Sequence, residues 1–182
     1  MSKHGAGRSE ADQQSPQSRE VLDPRALFEA LAEAEIDYVL VGGFAVAAHG
    51  RIRASEDLDI CPGPTRENLE RLADFLVEVE ASNLDADEFN EGELVPHDSD
   101  GLSQGGNFRL RTRLGKFDVL QHLEPFGEKT WKTLDKNAEP REVFGHRIRV
   151  CGYEDLIEMK TAAGRPIDRS DIADIKAARR EL

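Results

Sequence analysis

Tyr38-Val39-Leu40-Val41 is an unbroken apolar run that stops at Gly42-Gly43. With no polar alternation, such a run reads as a strand covered on both faces, and the glycine pair reads as a tight turn out of it. Phe44 to His49 follows as a short helix of small residues, closed by Gly50. Upstream, Asp23-Pro24 supplies an N-cap and a first-turn proline. Leu27, Phe28, Leu31 and Ala34 then recur at helical spacing.

A second strand is marked by alternation. Asp57-Leu58-Asp59-Ile60 puts acids on one face and apolar side chains on the other. Pro62, Gly63 and Pro64 end it, and Thr65 caps a helix carrying Leu69, Leu72, Phe75, Leu76 and Val79. Arg109 to Arg113 alternates again, Gly115-Lys116 can turn the chain, and Phe117 to Leu120 completes a hairpin. Val143 to Val150 reads as a further strand and Glu154 to Ala163 as a helix ended by Gly164. Asp168 or Ser170 caps a last helix with Ile172 and Ile175. The order predicts a mixed α/β (α+β) domain, a small mixed sheet flanked by helices, rather than a doubly wound fold.

Composition sets the frame. The 182 residues suit one domain, expected over 21–182 behind a disordered polar tail at 1–20. No run approaches the roughly 18 apolar residues of a membrane span. The start lacks the apolar core of a secretory signal. The only cysteines are Cys61 and Cys151, too few for a disulfide framework or a zinc cluster, so a cytoplasmic location is expected. The formal net charge of −12 argues against a general nucleic-acid coat. Ten acids and no Lys or Arg lie between Leu72 and Phe108. Residues 81–107 read as a solvated acidic loop with room for one edge strand.

The acids on strands carry the chemistry. Asp57 and Asp59 project to one side, and Asp118 sits between Phe117 and Val119 in the same manner. If the two strands are neighbours, three carboxylates converge, and their repulsion calls for a divalent cation. An all-oxygen set suits Mg²⁺ or Mn²⁺. Alone, Asp-x-Asp equally suits a solvent-facing edge strand. Gly42-Gly43 allows close approach of a ligand to the backbone, and also suits an ordinary turn. Arg51, Arg53 and Ser55 precede the acids, where a guanidinium can hold a phosphate or simply face water. Lys160 can bury its stem while its ammonium emerges toward a polyanion. Asp168 suits an N-cap or a link to Arg165 or Lys160. His49 suits a helix C-terminus. Arg109, Arg111 and Arg113 form a basic stripe or a solvated face. Trp131, Tyr38 and Tyr153 are core or rim residues.

Taken together, Val39-Leu40-Val41-Gly42-Gly43-Phe44-Ala45, His49-Gly50, Arg53, Ser55, Asp57 and Asp59 resemble the opening motif of the nucleotidyltransferase superfamily related to DNA polymerase β. Within it they look most like the small bacterial AbiEii-type toxin group. Phe117-Asp118-Val119-Leu120 resembles the third acidic strand. Asp155-Leu156-Ile157, Met159-Lys160, Ala162-Ala163-Gly164-Arg165 and Asp168 resemble a later motif. The likeness spans most of 21–180, with 81–107 the poorly matched part.

The resemblance implies transfer of a nucleoside monophosphate from a nucleoside triphosphate, such as ATP, to an acceptor hydroxyl. Asp57, Asp59 and Asp118 would be catalytic and would hold Mg²⁺ or Mn²⁺, with Asp118 also helping to deprotonate the hydroxyl. Gly42, Gly43, Arg53, Ser55 and Lys160 would bind the nucleotide. The acceptor would be RNA such as a tRNA end, a protein, or a small molecule such as an antibiotic. The toxin group further implies an antitoxin partner. A non-catalytic nucleotide- or partner-binding module on the same fold is the alternative, and the three retained acids weigh against it. Departures are Gly43 where serine is usual, Ser55 where threonine is usual, and a length with little room for a large C-terminal helical domain.

Overall fold

The computed structural model describes residues 21–50, 54–84 and 94–180. The expected tail, Arg51, Arg53 and part of the acidic stretch lie outside the described residues. Helix α1 spans Pro24–Glu33, and Asp23 caps it by accepting the Ala26 N–H at 3.1 Å. Leu27, Phe28 and Leu31, one stripe at helical spacing, are its buried face. Strand β1, Tyr38–Leu40, is buried at every residue, as an unbroken apolar run requires. Helix α2 is Gly42–Ala48 and strand β2 is Asp57–Pro62. Helix α3, Arg66–Glu78, starts where the Thr65 side chain accepts the Asn68 N–H.

Strand β3 (Ser82–Asn83) and helix α4 (Ser99–Ser103) occupy the acidic stretch. Strands β4 (Asn107–Thr112) and β5 (Gly115–Leu120) form the expected hairpin. Helix α5 (Thr130–Asn137), strands β6 (Glu139–Val143) and β7 (His146–Val150), and helices α6 (Tyr153–Ala163) and α7 (Pro166–Arg180) complete the described chain.

The sheet runs β3-β4-β5-β2-β1-β7-β6. Strand β2 pairs with β5 and β1 with β7 in parallel, and the other pairs are antiparallel. This is the small mixed sheet that the alternation of elements predicts. On one face Leu58, Ile60, Phe117 and Val119 are fully buried. Helix α3 covers them, with Phe75 edge-on to Phe117 at 5.6 Å between ring centres. Burying one such ring stabilises by roughly 1.5–3 kcal/mol, and truncating it to alanine costs about 3–5 kcal/mol with the cavity left behind. The acids of β2 and β5 point to the opposite face.

Three boundaries and one helix differ from expectation. The β4–β5 turn is at Arg113-Leu114, not Gly115-Lys116. The reason is Thr112, whose hydroxyl donates to the Gly115 carbonyl at 2.8 Å and accepts the Leu114 N–H at 3.1 Å. Arg113 therefore leaves the strand. Val143 to Val150 is not one strand: it holds the end of β6, a turn at Phe144-Gly145, both with positive φ, and β7, in a hairpin that begins at Glu139. Helix α5 was not expected; its short amphipathic pattern buries only Thr130 and Leu134. Helix α7 begins at Pro166, so Asp168 lies inside its first turn. Among the described residues, no helix is long and apolar enough to cross a membrane.

Candidate active site

Strand β2 lies inside the sheet, between β1 and β5, so Asp57 and Asp59 are not on an edge. In the parallel β2–β5 register, Asp59 stands opposite Asp118 and Asp57 opposite Lys116. One carboxylate oxygen from each of Asp57, Asp59 and Asp118 lies within 4.8 Å of the others. The convergence inferred from alternation is thus built by register. Three carboxylates so close, with oxygen donors only, fit a hard divalent cation.

The charges strain one another. Burial, then the charge of Asp57, pushes the Asp59 carboxyl up to about 6, against the Gly43 N–H, Lys160 and Arg165. Burial, then Asp59 and Asp57, pushes Asp118 up to about 7, against Arg109 and the Leu110 N–H. Arg109 Nε is 3.9 Å from Asp118 Oδ2. Ser55 Oγ donates to Asp57 Oδ1 at 3.1 Å, so the serine orients an acid directly.

The glycine pair is explained by this site. Gly42 has φ +65°, and a Cβ there would overlap the Asp59 carboxylate. Glycine is therefore required twice, for its conformation and for its missing side chain. The neighbouring Gly43 N–H is turned onto Asp59, so it serves the acid rather than pointing outward.

Lys160 departs from expectation. Its ammonium does not emerge: the side chain is 7% exposed and bonds Asp168 Oδ1 at 3.1 Å and Asp171 Oδ2 at 2.8 Å. The physical reason is the reversal at Gly164, which takes the left-handed conformation at φ +62° and folds α7 back along α6. Asp168 then lies fully buried, accepting from Lys160 Nζ, the Arg165 backbone N–H, Arg165 Nε and Arg165 Nη2. Burial opposes its ionisation, but the bonds from Arg165 and Lys160 outweigh burial and hold it at about 2. Asp168 thus makes both of the links that its sequence position suggests.

Arg165 and Asp171 were not singled out as site residues. Their signal was the pairing of Asp168 with Asp171 one turn apart on a helix, beside two cations. His49 Nε2 donates to the Cys151 carbonyl at 2.8 Å, which ties the end of α2 to the start of α6. Arg109 and Arg111 lie on the exposed face of β4. A cavity of about 960 Å³ opens at the C-terminal ends of β2 and β5, lined by Pro62, Arg66, Leu102, Gln121 and Trp131 among others. None of the three acids borders it.

No protein-family model matches the chain, and no curated protein matches it in sequence. Solved structures do match in shape, and the architecture they define is the nucleotidyltransferase fold. One is the lincosamide antibiotic adenylyltransferase LnuA with lincomycin bound, at a TM-score of 0.57 and 14% identity. That likeness covers 87% of this chain and 99% of LnuA. Another is the antibiotic-resistance factor ANT(2'')-Ia in solution, at a TM-score of 0.52 and 15% identity. It covers 86% of this chain and 80% of that one.

Proposed function

We propose that this chain is a metal-dependent nucleotidyltransferase that moves a nucleoside monophosphate, such as that of ATP, onto a hydroxyl of a small-molecule acceptor. The observation that carries the reading is the register of β2 and β5, which sets Asp59 against Asp118 with Asp57 beside them. Keeping three like charges within 4.8 Å destabilises the free protein. Such a cluster is explained by a ligand that neutralises it. Mg²⁺ or Mn²⁺ held there would supply charge neutralisation for the attacking and leaving oxygens.

The protein's own part is positioning. Asp57, oriented by Ser55, and Asp59, oriented by the Gly43 N–H, would hold that ion beside Asp118, and its charge would draw the phosphate end of the nucleotide to them. Asp118 accepts the proton of the acceptor hydroxyl. The hydroxyl oxygen bonds to the α-phosphorus, the bond from that phosphorus to the bridging oxygen breaks, and pyrophosphate leaves with the electron pair. Gly42, Gly43 and Arg53 belong to the same proposed nucleotide set, within a single domain over 21–182.

A small acceptor is supported by the two neighbours described above, both named for antibiotics, one of them covered over 99% of its length. The test is to supply labelled nucleoside triphosphates and Mg²⁺ with a panel of hydroxylated small molecules, total RNA and cell lysate, and to follow the label. Label on a small molecule supports the proposal. Label on RNA or protein refutes the acceptor class and favours the AbiEii-type toxin reading, with an antitoxin as partner. An RNA acceptor would also make binding salt-dependent through Arg109 and Arg111. No label anywhere, with nucleotide bound, favours the non-catalytic module.

A further inference from the structure

We infer that Arg165, not Lys160, is the cation that meets the nucleotide's phosphates, and that Asp168 is the positioning residue that aims it. The inference rests on the nucleotidyl-transfer reading above. The sequence pattern points to Lys160, but the fold spends that ammonium on two buried carboxylates. An ammonium 7% exposed and already paired at 3.1 Å and 2.8 Å still acts on Asp59 through space but is not presented for a ligand to bond.

Arg165 is the reverse case. Its side chain is 66% exposed, while the carboxylate that holds it is fully buried. Asp168 accepts from Nε at 2.8 Å and from Nη2 at 3.1 Å, a fork that fixes the plane of the guanidinium. The Arg165 backbone N–H also bonds Asp168, at 3.1 Å, so one carboxylate fixes both the chain and the side chain. Nη1 bonds nothing among the described residues and lies on the edge away from the fork. Burying Lys160, Asp168 and Asp171 together is expensive in desolvation. What the cluster delivers to the surface is one oriented guanidinium.

That guanidinium lies within electrostatic reach of Asp57 and Asp59. Asp57 and Asp59 both act on Arg165, and Arg165 acts back on Asp59. A fixed cation beside a divalent-metal site repels the metal. The arrangement becomes favourable only when an anion spans the two. A triphosphate has the required form, with some oxygens for the metal and others for the bidentate donor.

This predicts two effects of opposite sign in Arg165→Gln. Mn²⁺ alone, followed by the paramagnetic resonance of the free ion, should bind as tightly as in wild type or several-fold more tightly. Mn²⁺ with a non-hydrolysable nucleoside triphosphate, followed by calorimetry, should bind roughly tenfold to a hundredfold more weakly, the loss of a charge-assisted hydrogen-bonded pair. A merely structural role would weaken both. Arg165→Lys keeps the charge without the fork and should fall between. Asp168→Asn should raise the KM for nucleotide with little change in kcat. Because it loosens a buried cluster, the Arg165 variants stand as the independent measure. Triphosphate affinity unchanged in Arg165→Gln overturns this inference alone. Wild-type protein that binds Mn²⁺ but no triphosphate overturns the nucleotidyl-transfer reading, and this inference with it.

Discussion

Asp59 and Asp118 face each other across two parallel strands, and burial with mutual repulsion outweighs the cations that act on them, Lys160 and Arg165 on Asp59 and Arg109, 3.9 Å away, on Asp118. The consequence is a pH dependence opposite to that of an ordinary ion-paired acid. Both carboxyls bind a proton more tightly when folded, near 6 and 7, than in the unfolded chain near 4. Between about pH 4 and 7 the folded state therefore carries more protons, and stability falls as pH rises. Thermal melts of metal-free protein across pH 4.5–7.5 should show a falling Tm. Mn²⁺ should flatten the curve, and Asp59→Asn should reduce its slope without metal. A Tm that rises through this window would refute the strained cluster.

The three acids should separate by role. Asp57→Asn and Asp59→Asn should each abolish metal-dependent nucleotide binding while raising the Tm of the metal-free protein, since a like charge is removed. Asp118→Asn should lower turnover by roughly 10²–10⁴ while weakening nucleotide binding only modestly. Calorimetry beside single-turnover rates distinguishes these outcomes. Equal loss of binding in all three would make Asp118 a structural ligand only.

Gly42→Ala tests the tight contact between α2 and β2. The new Cβ would overlap the Asp59 carboxylate, and alanine pays for the left-handed backbone as well. The expected cost is about 1–3 kcal/mol, with loss of Mn²⁺ binding because Asp59 is displaced. A variant that melts and binds Mn²⁺ like wild type would show that α2 can move away freely.

Lys160→Met should behave as a folding mutation. It leaves Asp168 and Asp171 without their shared ammonium, and breaking a buried pair in this way costs about 3–5 kcal/mol. Denaturant melts at pH 7 measure it. Asp168 adds an acid limit: held near 2 when folded, its contribution is complete above the unfolded value near 4 and is lost as pH falls toward 2. A Lys160→Met protein of wild-type stability but poor nucleotide binding would return the phosphate role to Lys160.

What the sequence determined by itself was local. Apolar continuity at Tyr38–Val41 made a buried strand, and alternation at Asp57–Ile60 put two acids on one face, because a strand has period two. The resemblance of these motifs to nucleotidyltransferases named the fold that the solved neighbours share. Arg53 lies outside the described residues. The turn at Arg113-Leu114 was hidden because a threonine hydroxyl, not a glycine, closes it. Only the tertiary structure decided which strands are neighbours and how the last two helices fold back. The β2–β5 register turned three separate aspartates into one site, since strand pairing joins residues about sixty positions apart. The reversal at Gly164 spent Lys160 on Asp168 and Asp171 and left Arg165 at the surface. Helical periodicity records which side chains share a face, but carries no information about what that face will meet.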